Sequence, residues 1–518
     1  MTHPAPSTPP RPGRRRHSPG LAGDAAPTGA LLVRTVALPE GHRVADLLDV
    51  LPDRAPLAWV RRGNGLVGWG EVARIPVSGP QRFARAERAW QDVVARSVVR
   101  DEVGLPGCGP VAFGSFAFDD ADPDGGTLVV PRVVVGRRGR RTWLTTIEAG
   151  PRLGAAATLA DAIGTAEPVL PPGTVTYTDG ARTASDWVDA VAHGIAAIRT
   201  GRLEKVVLAR DVLARAAEPI DPRWLLARLA ASYPSCWTFS VDGLVGATPE
   251  LLTRSEKGLV TSRVLAGTIR RTGDDDADLA RAATLAHSSK DLEEHEYAVS
   301  SVAAALEPFC SSTNVPDVPF VLHLPNVLHL ASDVTGVLAA KVDGGEVPSS
   351  LTLAAALHPT AAVCGTPTEA ARTLIAQIEG MDRARYAGPV GWIGADGDGE
   401  WGIALRCAQI DPQDSRRLRL FAGCGIVAAS DPAAELAEAE AKLDPIRDAL
   451  RSSPRPAQRW AAETAAITAG RAAAARSSRS WRTDSRDTRT STTEHPRTGS
   501  VSASRRPSRS STTRWRTR

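Results

Sequence analysis

The chain has 518 residues, 42% of them hydrophobic, and a formal charge of +4, enough for one large domain or two to three ordinary ones. No apolar run reaches the ~18 residues of a membrane span. No signal-like stretch follows Arg14-Arg15-Arg16, and six cysteines without C-x-x-C spacing argue for reduced thiols in a cytoplasm rather than a disulfide framework or a zinc site.

The charge is uneven. Residues 1–30 carry +3 and residues 452–518 carry +11, which leaves the body at −10. This excludes a body built to bind nucleic acid. Residues 1–30 are rich in Pro, Arg and Gly, and 452–518 in Arg, Ser, Thr and Ala, so both ends are expected to be disordered.

In chain order, 31–38 and 57–75 predict strands, the second broken by a hairpin turn at Arg62-Gly63-Asn64-Gly65. Residues 81–99 have helical periodicity, and 111–118, 127–135 and 142–147 predict strands. A Pro/Gly segment near 166–174 divides the body into 31–174 and 175–451. The second part predicts helix 183–200, strand 205–213, helix 221–231, strands over 236–263 and one long helix 276–307. Strand 327–337, helices 347–357 and 367–379, three strands over 388–421 and helix 432–450 follow. No regular βαβ alternation appears, so the expected class is α+β, antiparallel sheet with helices outside. Gly423 and Gly425 form a G-x-G after a strand, but lack the third glycine and the distal acid of a dinucleotide site.

Two acidic segments share one spacing. Asp291/Glu294 and Glu435/Glu438 each lie one helical turn apart on one face. Together they would make a four-carboxylate oxygen site suited to Mg²⁺. The plain alternative is two solvated helix faces, with Glu438 and Lys442 a surface pair.

Only five lysines occur in an otherwise Arg-using chain: 205, 257, 290, 341 and 442. Lys205 opens the apolar strand Val206-Val207-Leu208-Ala209. It reads either as an edge lysine or as a cavity-wall base whose pKa the site lowers. Glu250, after Pro249 and before two leucines, reads either as a helix N-terminal acid or as a buried proton donor. Leu265-Ala266-Gly267-Thr268 lets the backbone approach a ligand, or is a tight turn. Arg406, inside an apolar strand, needs an anionic partner if buried, either a substrate carboxylate or an internal acid.

Nine ordered segments between about 183 and 450 resemble the chorismate-utilising enzymes, the family of isochorismate, salicylate, anthranilate and aminodeoxychorismate synthases. They include Lys205, A-T-P-E-L-L (247–252), L-A-G-T (265–268), S-K-D-L-E-E-H-E (289–296) and H-P-T-A-A-V-C-G (358–365). Y-A-G-P-V-G-W (386–392), A-L-R-C-A (404–408), A-G-C-G-I-V (422–427) and E-L-A-E-A-E-A-K (435–442) complete them. The stretch 109–119 is similar to the N-terminal half of isochorismate-forming members.

The resemblance implies a large α/β sandwich with Mg²⁺ and chorismate between sheets and helices. It implies Glu294 and Glu438 as direct Mg²⁺ ligands, with Asp291 and Glu435 holding metal-bound waters. Gly267, Thr268, Gly425 and Lys442 would hold the ring carboxylate. Tyr386, Arg406 and Gly423 would grip the enolpyruvyl side chain, and His329 would line the pocket.

Lys205 would activate water at ring C2 while Glu250 protonates the departing C4 hydroxyl. Ala266 stands where amino-transferring members carry a nucleophilic lysine. Ala362 stands where salicylate-forming members tend to carry a hydroxyl. The implied reaction is therefore chorismate to isochorismate, with salicylate formation as the alternative. Menaquinone synthesis is the expected route, ahead of siderophore synthesis.

A reading from another class makes the basic tail a nonspecific phosphate binder. Its only tryptophans, Trp460, Trp481 and Trp515, do not interleave as a stacking surface would. Chorismate is thus the expected partner, with no specific nucleic acid and no membrane, on a monomer or weak homodimer.

Overall fold

The structure, a computed structural model, describes residues 30–39, 46–150, 158–163, 167–339 and 347–452. The ends expected to be disordered lie almost wholly outside these residues, as does Lys341.

The strand Gly126–Arg138 organises the sheet. On one side it pairs along its length with Asn64–Val77; on the other, its first half pairs with Val111–Phe116 and its second half with Arg141–Ala149. From it run two layers. One continues through Leu57–Arg61, Trp237–Val241, Leu244–Thr248, Cys407–Ile410 and Arg417–Ile426 to Lys205–Ala216. The other continues through Pro389–Gly394, Gly399–Ile403, Leu251–Glu256 and Leu259–Arg270 to Val327–Leu338. These pairings are antiparallel; among the described pairs, Leu31–Ala37 with Val98–Asp101 is parallel.

The layers pack through large side chains. Trp59, Phe239 and Trp401 are almost fully buried in one continuous apolar core. A Cβ added at Gly402 would stand 2.8 Å from the Trp59 ring, so the layers approach at the expense of a side chain there. The architecture is the expected antiparallel sandwich with helices around it. The 57–75 segment turns at Arg62 and Gly63, which both have positive φ (51° and 71°), as a two-residue hairpin requires.

Local boundaries differ in informative ways. The first predicted helix ends at Ala95, and Val98–Asp101 becomes an edge strand. The single helix 276–307 is two, Asp275–Ala286 and Ser289–Leu306. The break comes where the Ser288 side chain accepts from the Asp291 backbone N–H and starts a new helix. The edge strands Cys310–Asn314, which is polar, and Phe320–His323, which is a short apolar run, lack the alternation that predicts strands.

Two helices close one end of the sandwich. Ser289–Leu306 lies on the strands Leu259–Arg270 and Val327–Leu338. Pro432–Ala449, capped by Asp431 with proline at its first turn, lies on Arg417–Ile426.

Candidate active site

A cavity opens between the two layers under these helices, with a volume of about 110 Å³. It gathers Glu250, Gly267, Thr268, Asp291, Glu294, His329, Ala362, Tyr386, Arg406, Gly423, Gly425, Glu435, Glu438 and Lys442. These are fourteen of the fifteen residues singled out from sequence. The fifteenth, Lys205, is 1% exposed and stands directly behind one of them.

Lys205 begins the strand Lys205–Ala216, and its Nζ lies 2.9 Å from Glu294 Oε1. The neighbouring strand makes room for this pair. Gly425 pairs with Val207, and a Cβ there would sit 2.8 Å from Glu294 Oε1 and 2.9 Å from Lys205 Cε. Burial pushes the Glu294 carboxyl up, but the Lys205 ammonium outweighs it and the net shift is downward.

Glu250 sits between the strands Leu244–Thr248 and Leu251–Glu256, where Pro249 interrupts pairing. It is a strand-end acid, not a helix N-terminal one. Burial raises its pKa to about 8, with the nearby Lys205 only partly opposing. A carboxyl so placed is protonated at neutral pH and able to donate.

The strand Leu259–Arg270 slips register at Gly267, whose φ is +79°. The slip sets Thr268 opposite His329, and Thr268 Oγ1 lies 3.0 Å from His329 Nδ1. His329 Nε2 lies 3.1 Å from Arg406 Nη2. Burial, then Arg406 and Lys442, drive the imidazole pKa well down, so the ring is neutral. Arg406 donates to Nε2, and Nδ1–H is left to donate to Thr268. The other guanidinium nitrogen, Arg406 Nη1, is buried without a hydrogen-bond partner. A cavity anion would satisfy it.

Lys442 Nζ bonds Glu438 Oε1 at 2.6 Å and the Gly423 carbonyl at 2.9 Å. Burial opposes its charge, but the Glu438 carboxylate outweighs burial and the pKa rises. Tyr386 stacks on Phe421 with centroids 5.2 Å apart. A Cβ at Gly423 would lie 3.3 Å from the Tyr386 hydroxyl, so the glycine leaves that face open.

The carboxylates come from both helices. Oxygens of Glu435 and Glu438 lie with Cys424 Sγ inside a 4.8 Å group. Asp291 and Glu294 line the same cavity from the facing helix, outside that group. Burial and then Glu438 raise Glu435 to about 7; burial also raises Asp291.

Sequence reasoning missed two cations on the wall, Lys290 and Arg383. Arg383 is bonded to Glu379 at 2.6 Å and donates to the carbonyls of Val363 and Val207. The Glu379/Arg383 spacing was visible, but it equally describes a surface helix pair.

A family model described as "Chorismate binding enzyme" matches residues 57–451. The chain is 42% identical over 269 residues to isochorismate synthase DhbC of Bacillus subtilis, spanning 50% of this chain and 66% of that protein. It is 35% identical over 416 residues to the salicylate biosynthesis isochorismate synthase of Pseudomonas aeruginosa, spanning 76% and 84%. Among solved structures it resembles MenF, the menaquinone-specific isochorismate synthase of Escherichia coli. The TM-score is 0.65 at 24% identity over 83% of this chain and 97% of that one, a likeness of fold.

Proposed function

We propose, for a chain that belongs to the chorismate-binding enzyme family, that it isomerises chorismate to isochorismate by adding water at ring C2 and expelling the C4 hydroxyl. One observation carries the reading. A buried carboxyl with a pKa near 8, Glu250, shares its surroundings with a buried lysine, Lys205, beside a cavity lined by four further carboxylates.

The carboxylate side of the cavity fits Mg²⁺. Its donors are oxygens, as a hard divalent ion prefers, and Glu435 is raised by burial and then by Glu438, with Lys290 and Lys442 only partly opposing. Cys424 adds no ligand of that kind, because burial lifts its pKa well up and keeps it a thiol. Glu294 and Glu438 would hold the ion, and Asp291 and Glu435 its waters; when bound it would supply positive charge for the ring carboxylate.

The protein's own groups then divide the work. Lys442, Thr268 and the backbone at Gly267 and Gly425 orient the ring carboxylate. Arg406, with its unpartnered Nη1, and Tyr386, across from Gly423, hold the enolpyruvyl carboxylate. His329, neutral and fixed between Thr268 and Arg406, aims the guanidinium.

Lys205, once its ammonium has given up both the bond to Glu294 and a proton, takes a proton from water as the oxygen bonds to C2. The ring double bonds shift, the C4–O bond breaks, and Glu250 gives its proton to the leaving hydroxyl, which departs as water. Lys205 gains one proton and Glu250 loses one, and exchange with solvent restores both for the next turnover. Ala362 offers no hydroxyl on the wall, which favours stopping at isochorismate rather than eliminating pyruvate.

The test is purified protein with chorismate and Mg²⁺, resolved by chromatography. Isochorismate as the main product supports the reading; salicylate with pyruvate, or anthranilate formed with ammonium, overturns it. We assign the product to menaquinone synthesis on the 109–119 stretch. Disrupting the gene should lower menaquinone, and loss of a catechol siderophore or salicylate instead would redirect the assignment.

A further inference from the structure

The strand that begins with Lys205 has one complete edge and one broken edge. Against Arg417–Ile426 it is paired from Val206 to Arg215. On the other edge Gly365–Thr366 pairs with Lys205 and Val206 only, and Val175–Asp179 with Val212–Ala216 only. No strand among the described residues pairs with 207–211 on that side.

The backbone groups in this gap are met by other means. Val207 N–H donates to the Cys364 carbonyl at 2.8 Å. The Val207 carbonyl accepts from Arg383 Nη2 at 2.8 Å, and Ala209 N–H donates to Glu379 Oε2 at 2.8 Å. The Ala209 carbonyl accepts from the Trp187 indole at 2.9 Å. Arg383, Glu379 and Trp187 thus supply with side chains what a neighbouring strand would supply with backbone. Left unmet, buried backbone groups like these cost free energy.

Arg383 and Glu379 act here as one unit. Both are buried, at 4% and 1% exposure. The Arg383 fork closes on Glu379, Nε to Oε1 at 2.7 Å and Nη2 to Oε2 at 2.6 Å. Burial works against the guanidinium charge, but Glu379 outweighs it and the pKa rises. Arg383 Nη1 donates to the Val363 carbonyl at 2.9 Å, one residue from Ala362, and the guanidinium lies 4.2 Å over the Phe118 ring. A guanidinium so engaged has its charge met inside the protein, whereas Arg406 keeps an unpartnered Nη1. Arg383 lines the cavity, yet it is arranged to hold walls together rather than to take an anion. Both walls bear on the chemistry. Val207 lies two residues after Lys205 on the same face of the strand, and Val207 and Ala362 both line the cavity.

We infer that Glu379 and Arg383 are positioning residues for the reaction: their ion pair completes the open edge of the Lys205 strand and fixes it to the loop that carries Ala362. The base and the wall opposite it then keep one spacing. The role in turnover rests on the isomerase reading; the completion of the edge does not.

The test uses two variants of the full chain that preserve both charges of the pair. Arg383→Lys cannot span Glu379 and two carbonyls at once. Glu379→Asp draws the carboxylate back from Ala209 N–H. Hydrogen exchange of the segment 205–211, read by mass spectrometry, should quicken by about tenfold or more in each. With chorismate and Mg²⁺, kcat should fall by about 10- to 100-fold while KM changes by less than about threefold. The Asp variant decides the matter if the Lys variant does not fold. The inference is overturned if exchange is unchanged in the folded variants, or if exchange quickens while kcat per folded molecule stays at the wild-type value. It is equally overturned if the loss falls in KM, which would make Arg383 a substrate ligand. A wild type that makes salicylate or anthranilate refutes the isomerase reading alone, and kcat for that product then enters the same comparison.

Discussion

Lys205 Nζ is held 2.9 Å from Glu294 Oε1, so the proposed base and a proposed metal ligand are one ion pair. The two belong to different elements, a central strand and a covering helix, and the missing side chain of Gly425 lets them meet. Drawing Glu294 toward a cation and freeing the lysine nitrogen are therefore a single movement.

Lys205→Met should lower turnover by about 10²–10⁴-fold, the usual worth of a positioned acid–base group. It also strands a largely buried carboxylate, which costs up to about 3–5 kcal/mol. The double variant Lys205→Met/Glu294→Gln should recover thermal stability and not turnover. Recovery of both would show that the lysine serves only to neutralise Glu294.

Gly425→Ala forces a methyl to within 2.8 Å of Glu294 Oε1 and 2.9 Å of Lys205 Cε. Both are movable side-chain ends, so the fold should survive with little change in Tm. Misplacing the pair should cost about 10²-fold in kcat. A large fall in Tm with normal kcat per folded molecule would contradict this.

Glu250 sets two pH dependences. Its folded pKa of about 8 lies above the unfolded value of about 4.3. The folded state therefore holds the proton more tightly, and the contribution to stability, full below pH 4, is lost as pH rises through 8. The penalty above pH 8 is on the order of 5 kcal/mol. Glu250→Gln should raise Tm at pH 9 far more than at pH 5. In the wild type kcat should fall as pH passes 8, and the residual rate of the variant should lack that limb. Equal Tm gains at both pH values would refute the buried-acid assignment.

Chelation by EDTA should abolish turnover, and Mg²⁺ should restore it. Mg²⁺ at a hundred times its Kd should add about 2.7 kcal/mol to unfolding stability. Thermal melts with and without the ion read this directly, and Glu438→Gln should remove most of the shift. An undiminished shift in that variant would place the ion elsewhere.

Arg406→Met should raise KM for chorismate by about 10- to 100-fold, because it removes a charge-assisted bond to a carboxylate. The kcat should change less. A loss confined to kcat would mean that the guanidinium acts on the reacting bonds instead.

The sandwich was legible because its strands are apolar runs bounded by turns that carry glycine, as at Arg62-Gly63. The cavity residues were legible because nine motifs come in a fixed order. The Lys205–Glu294 pairing was not, since the two were read in separate roles and their meeting depends on a strand and a helix 89 positions apart. Glu250 left two readings open until Pro249 proved to end a strand rather than begin a helix. The helix break at Ser288 was hidden inside one unbroken periodic run. The bond from Trp59 to Glu400 was illegible for a similar reason: it spans 341 positions, and only the packing of one layer on the other brings the two together.

Every group that lines the catalytic cavity or backs it lies at position 205 or later. Yet the strand from which both walls grow is Gly126–Arg138, in the earlier half. The first part of the chain, which supplies no group to the cavity, is thus the keel to which the working half is fastened. A fragment trimmed to the recognisable motifs would keep every reactive side chain and lose the frame that makes them face one another.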